Sequence, residues 1–166
     1  MKLTPLLLSL VFVAAQAQTN QINGVVSEVH DGDTMTLTSD KVIHKVRLAE
    51  VDAPELKQSF GKESRESLSK AAMGKNAIAL CTPKDRYGRN ICKVSVDDVD
   101  LGAYQMSRGM TWAYVGYAKK GSPVFGLEAK AKKAKAGLWS ESNPGAPWDF
   151  RNPKTAVVQT PATPCK

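Results

Sequence analysis

Five charged residues in three short clusters have the types and spacing to handle a phosphate and a hard cation. Asp33 lies in Asp31-Gly32-Asp33-Thr34, Arg47, Asp52 and Glu55 lie in the stretch from Val46 to Glu55, and Arg89 ends Asp85-Arg86-Tyr87-Gly88-Arg89. Carboxylates bind hard cations such as Ca²⁺ or Mg²⁺, and guanidiniums present a planar fork to two phosphate oxygens. Taken together these groups suit metal-assisted cleavage of a phosphodiester.

Each cluster alone is weak. Asp31-Gly32-Asp33 reads equally as a solvated turn whose carboxylates bond nearby N–H groups. Asp52-Ala53-Pro54-Glu55 reads equally as an acidic loop capping a helix. Each arginine could be a surface ion pair. As a set, Asp33 and Asp52 with the Ala53 carbonyl and waters make an open oxygen shell, in which Pro54 restrains Ala53 to an extended conformation. Soft metals are disfavoured, because no His or Cys falls in these clusters. Arg47 and Arg89 are candidate donors to the extra charge on the equatorial oxygens of the transition state. Glu55 is the candidate general base, or it only positions the water or the metal shell. Tyr87, with the adjoining Arg86, and Tyr114 are candidate substrate contacts, with Tyr117 a neighbour of the same kind. Neither His30 nor His44 has the partners of a nucleophilic dyad, and no Ser sits in a Gly-x-Ser-x-Gly elbow.

Placing these side chains needs a frame, and the first half of the chain reads as β. Short alternating or β-branched runs predict strands near 22–30, 33–39 and 42–50, and two more near 77–81 and 91–96 flank the Asp85–Arg89 loop. Helical spacing predicts helices over 60–73, 101–108 and 124–136, stopped by Gly74, Gly109 and Gly137. The fold class expected is α+β, mainly β: a five-stranded barrel of the oligonucleotide/oligosaccharide-binding (OB-fold) type with three packed helices. Lys130, Lys132, Lys133 and Lys135 read as a solvated helix face, and Trp139, Trp148 and Phe150 as the groups packing the C-terminal segment onto the body.

Of the 166 residues, the first 17 read as a signal peptide: Lys2, an apolar run from Leu6 to Ala15, and Ala15-Gln16-Ala17 as cleavage signature. The run is shorter than the roughly 20 residues that span a bilayer, so no membrane anchor is expected. Residues 18–151 form the folded domain and 152–166 a flexible tail. An exported protein, periplasmic or extracellular and monomeric, is the expectation. In an oxidising compartment Cys81 and Cys92, which flank a turn, are expected to pair, leaving Cys165 over. The formal net charge of +7 favours encounter with polyanions but does not by itself specify nucleic acid.

At these residues the chain resembles the staphylococcal nuclease (thermonuclease) family. The Asp-Gly-Asp-Thr, Arg-Leu, Val-Asp-Ala-Pro-Glu and Asp-Arg-Tyr-Gly-Arg stretches match its motifs in order, and Arg108-Gly109-Met110, Gly137-Leu138-Trp139 and Pro147-Trp148-Asp149-Phe150-Arg151 follow less specifically. The resemblance covers roughly residues 22–151. It implies a five-stranded barrel with three helices and a nuclease of broad DNA and RNA range using one Ca²⁺ ion and leaving 3′-phosphate and 5′-hydroxyl ends. It also implies Ca²⁺ held by Asp33, Asp52 and the Ala53 carbonyl, phosphate contacted by Arg47 and Arg89, and Glu55 assigned to water activation. Ala53 replaces the Thr of the best-known member, the loop before Tyr87 is shorter, and neither Tyr114 nor Tyr117 aligns cleanly with a substrate-contacting tyrosine. Two alternatives stand beside this reading: a non-catalytic nucleic-acid-binding module of the same fold, and a barrel used for carbohydrate or protein contacts.

Overall fold

Alternation of buried and exposed residues builds the barrel. The computed structural model describes residues 20–153. Strand β1 (Asn20–Val29) pairs antiparallel with β2 (Thr34–Ser39), which pairs with β3 (Val42–Leu48). After the two-residue β4 (Val51–Asp52) and helix α1 (Gly61–Ala72) come β5 (Asn76–Thr82) and β6 (Asn90–Val96), and β5 returns to pair with β1. A parallel contact of β3 with β6, Val46 to Asn90 through Leu48 to Cys92, closes the five long strands into the expected barrel. A register shift between Val26 and Glu28 marks a bulge that helps the long β1 curl around it.

Val26, Met35, Leu37, Val46, Leu48, Ala79 and Val94 fill the interior. They meet Leu68 and Ala72 of α1, and Leu101 and Met106 of α2 (Leu101–Ser107), which follows the short β7 (Val99–Asp100). Burial on this scale, at about 25 cal/mol per Å² of apolar surface, is the main favourable term in folding. Asp40-Lys41 and Asp97-Asp98 both take positive φ, the backbone of tight turns matching strand twist. Cys81 and Cys92 face each other across β5 and β6 and form the expected disulfide.

Helix α3 (Pro123–Lys133), capped by the Ser122 side chain, follows the two-residue β8 (Trp112–Ala113) and ends earlier than the periodicity predicts. Lys135 and Gly137 take positive φ and turn the chain into a 3₁₀ segment at Gly137–Ser140, where a Cβ on Gly137 would strike the Gly109 carbonyl oxygen. A fourth helix, α4 (Pro147–Arg151), joins the three expected. Trp139 is buried and Trp148 half-buried, each edge-on to Trp112, but Phe150 is exposed and does not serve as packing. Most of the lysine run is solvated, although Lys132 lies over the Trp112 and Trp139 rings and pairs with Glu128. The leader at 1–17, the tail from 154 and Cys165 lie outside the described residues. No helix among the described residues is long and apolar enough to cross a membrane.

Candidate active site

A polar cleft of about 880 Å³ opens at one end of the barrel, lined by Asp33, Arg47, Asp52, Glu55, Arg86, Tyr87, Arg89, Tyr114 and Arg151 among others. The five residues picked out for chemistry therefore share one cavity, though 56 positions separate the first from the last in sequence.

Its floor is built by tight local packing. Asp31 Oδ1 accepts from the Asp33 and Thr34 N–H groups, folding 31–34 into the expected turn. A Cβ on Gly32 would collide with the Ser64 side chain, so only glycine lets this turn lie on α1. Gln105 of α2 donates to the Gly32 and Ser64 carbonyls and pins the turn from behind. Asp33 is then held on both oxygens, Oδ1 by the Thr34 hydroxyl (2.8 Å) and Oδ2 by the Ala53 N–H (2.8 Å). That last bond ties the first acidic cluster to the second. Ala53 thus engages Asp33 through its amide.

Arg47 joins the two acids. Its Nη2 lies 2.8 Å from Asp52 Oδ1 and 3.3 Å from Asp33 Oδ2, and Nη1 donates to the Leu48 carbonyl. Burial disfavours the Arg47 cation, yet Asp33 and Asp52 outweigh it and hold its pKa above the ordinary value. Asp52 is pushed up from the usual carboxylate range by burial and by Asp33, against the pull of Arg151 and Arg47. Asp31 is raised to about 7, first by burial and then by the Asp33 charge.

Glu55 stands at the rim with its side chain 38% exposed. A Cβ on Gly61 would strike the Glu55 carbonyl, so α1 starts tight against this loop. Among the described residues no three His, Cys, Asp or Glu side chains form a metal-holding group. Asp33 and Asp52 approach as a pair, and Glu55 is linked to Asp52 through Arg151, whose Nη2 is 2.6 Å from Asp52 Oδ2 and whose Nη1 is 2.8 Å from Glu55 Oε1.

Arg89 reaches the cleft from the β5–β6 loop, where Asp85 accepts from its Nε (2.8 Å) and Nη2 (2.7 Å). Burial raises the Asp85 carboxyl, but hydrogen bonds from the Arg89 and Tyr87 backbone and the Arg89 guanidinium more than offset this and hold it low. The Arg86 and Arg89 guanidiniums lie 4.9 and 5.4 Å from the centre of the Tyr87 ring, which is 67% exposed. Pairing of β4 with β8, Asp52 opposite Trp112, and a bond from the Tyr114 N–H to the carbonyl of Glu50 (φ 65°) set Tyr114 in the cleft lining. Tyr114 and Tyr117 meet edge-on at 4.9 Å, each within 6 Å of the Arg47 guanidinium. Both tyrosines line the cleft.

Arg151 and Trp148 were assigned no role here by sequence reasoning. Arg151 closes a stretch that resembles the family, but nothing local places it in the cleft: it ends a five-residue helix 99 positions after Asp52. His30 bonds Thr36 and Glu28 away from the cleft lining, as a structural residue would.

A family model described as "Staphylococcal nuclease homologue" matches residues 45–141, a span that includes Arg47, Asp52, Glu55 and Arg89. A Haemophilus influenzae protein named "Uncharacterized endonuclease" is 36% identical over 151 residues, covering 90% of this chain and 83% of its own length. A protein of Escherichia coli O157:H7 with the same name is 33% identical over 135 residues, covering 80% of this chain and 87% of its own. A "Micrococcal nuclease" of Shigella flexneri is 31% identical over 138 residues, covering 77% and 79%. With the barrel, the shared cleft and these matches in hand, the chain belongs to the staphylococcal nuclease family.

Proposed function

We propose that this nuclease is a Ca²⁺-dependent endonuclease that hydrolyses DNA and RNA to 3′-phosphate and 5′-hydroxyl ends. The observation that carries the reading is Arg47 bridging Asp33 and Asp52 at the base of a cleft that also holds Glu55 and Arg89. The donors fit a hard divalent ion: two buried carboxylates supply oxygens, the described lining residues include no His or Cys, and Asp52 Oδ2 already faces a cationic group. Asp33 and Asp52 would hold the ion with the Ala53 carbonyl as a neutral donor, and bound Ca²⁺ supplies Lewis-acid polarisation of the phosphoryl group.

The chain's own residues supply the rest. Glu55, exposed at the rim, takes a proton from the attacking water as its oxygen bonds to phosphorus. The bond from phosphorus to the 5′ oxygen breaks, that oxygen takes up a proton from solvent, and the phosphate stays on the 3′ side. Arg47 and Arg89 bring positive charge to the cleft, where it helps the charge on the equatorial oxygens of the transition state more than the ground state. Arg86, Tyr87 and Tyr114 line the approach, where rings can stack on bases and a guanidinium can meet the flanking phosphates. The leader-like residues 1–17 and the Cys81–Cys92 disulfide support export, periplasmic or extracellular, and a monomer is proposed.

Zymography of the purified protein on DNA and RNA tests this. Cleavage with Ca²⁺ and none with chelator is expected. Binding with intact substrate in Ca²⁺ would instead indicate a non-catalytic module.

A further inference from the structure

Arg151 makes three contacts on two carboxylates of the proposed site. Its Nη2 holds Asp52 Oδ2 at 2.6 Å while Nη1 reaches Glu55 Oε1 at 2.8 Å and Asp52 Oδ1 at 3.3 Å. Arg47 also binds Asp52, but the two arginines differ in freedom. Arg47 is 5% exposed, sits within β3 and is locked by bonds on both terminal nitrogens. Arg151 is 40% exposed and ends α4, so its side chain can leave without opening the core.

A Ca²⁺ ion needs ligand oxygens at 2.3–2.6 Å. Arg151 holds Asp52 Oδ2, the oxygen that Arg47 does not occupy, and two cations on one carboxylate oxygen repel strongly in a buried setting. Resting on the ion site proposed above, we infer that Arg151 is a tethered cation that competes with the divalent ion for Asp52 and Glu55, so that ion binding displaces the guanidinium. The element carrying it can report the exchange. Trp148, three residues earlier on α4, packs 5.5 Å from Trp112 and 6.1 Å from Tyr114. The start of α4 is held in place from outside the cleft, where Gln58 Nε2 donates to the Gly145 carbonyl (2.6 Å) and the Ser59 hydroxyl to Glu141.

The test is calorimetric titration of Ca²⁺ into the wild-type protein and the Arg151→Gln, Arg151→Lys and Asp52→Asn variants, without nucleic acid. Removing the competing charge is expected to tighten Ca²⁺ binding about tenfold in Arg151→Gln, while Arg151→Lys stays within about threefold of wild type. Tryptophan emission should change as Ca²⁺ saturates the wild type, and Trp148→Phe should abolish most of that change. Equal or weaker binding by Arg151→Gln, with Asp52→Asn abolishing it, would overturn the competition and leave the ion site standing. Absence of Ca²⁺ binding by both wild type and Arg151→Gln, or full binding by Asp52→Asn, would overturn the ion site and the competition together.

Discussion

Arg47 and Asp52, five residues apart, meet through Nη2 and Oδ1 at 2.8 Å with side chains only 5% and 2% exposed. An ion pair this deep contributes little net stability when whole but leaves an uncompensated charge when halved. Arg47→Met should therefore cost about 3–5 kcal/mol, because Asp33 and Asp52 would then face each other in the barrel wall. Urea denaturation of the Ca²⁺-free protein checks this, and an unchanged midpoint would mean the pair is not buried as described.

Arg89 should behave in the opposite way. Its partner Asp85 lies in the same loop and, though its side chain is only 5% exposed, keeps its bonds from the Tyr87 and Arg89 N–H groups when the guanidinium is lost, so the stability cost is about 1 kcal/mol. Loss of a donor aimed at transition-state charge lowers turnover by about 10²–10³. Arg89→Ala is expected to combine that fall in kcat with nearly unchanged stability. Cleavage kinetics and thermal unfolding on one preparation separate the two effects.

The contrast between these arginines shows what was legible in the sequence. Asp33, Arg47, Asp52, Glu55 and Arg89 were readable because each lies in or next to a short strand or turn, within a few residues of its cluster. The barrel strands were readable from alternation, as in β5 with its strict exposed–buried pattern. Arg151 was not, since its role depends on a contact 99 residues away and its five-residue helix has no period to detect. The early end of α3 was hidden for a related reason: it is set by the crossing of Gly137 with Gly109, a tertiary contact, while the helical period runs on past Lys133.

Asp31 gives the fold a dependence on pH. Its carboxyl titrates near 7 in the folded chain, chiefly through burial and then the Asp33 charge, against about 3.9 for an unfolded Asp. Between these values the folded state holds a proton that the unfolded state has lost, so this group's contribution is greatest below about pH 4 and declines as pH rises towards 7. Asp31→Asn retains an oxygen for the Asp33 and Thr34 N–H groups but cannot ionise. It should stabilise the protein more at pH 8 than at pH 4. Denaturation of both proteins at the two pH values checks this, and an equal difference at both would contradict it.

The Cys81–Cys92 bridge clasps the strands that hold the Arg89 loop, its two residues 11 positions apart. Replacing both cysteines by alanine should cost about 2–4 kcal/mol. Denaturant midpoints measured with and without reductant check this: reductant should lower the wild-type midpoint and leave the double variant unmoved.

Single-turnover cleavage of an end-labelled oligonucleotide tests the central claim most directly, comparing wild type with Asp52→Asn and Glu55→Gln in Ca²⁺. The proposed function predicts 3′-phosphate products from the wild type and at least a hundredfold slower cleavage by both variants. Wild-type rates in either variant, with the fold intact, would contradict it.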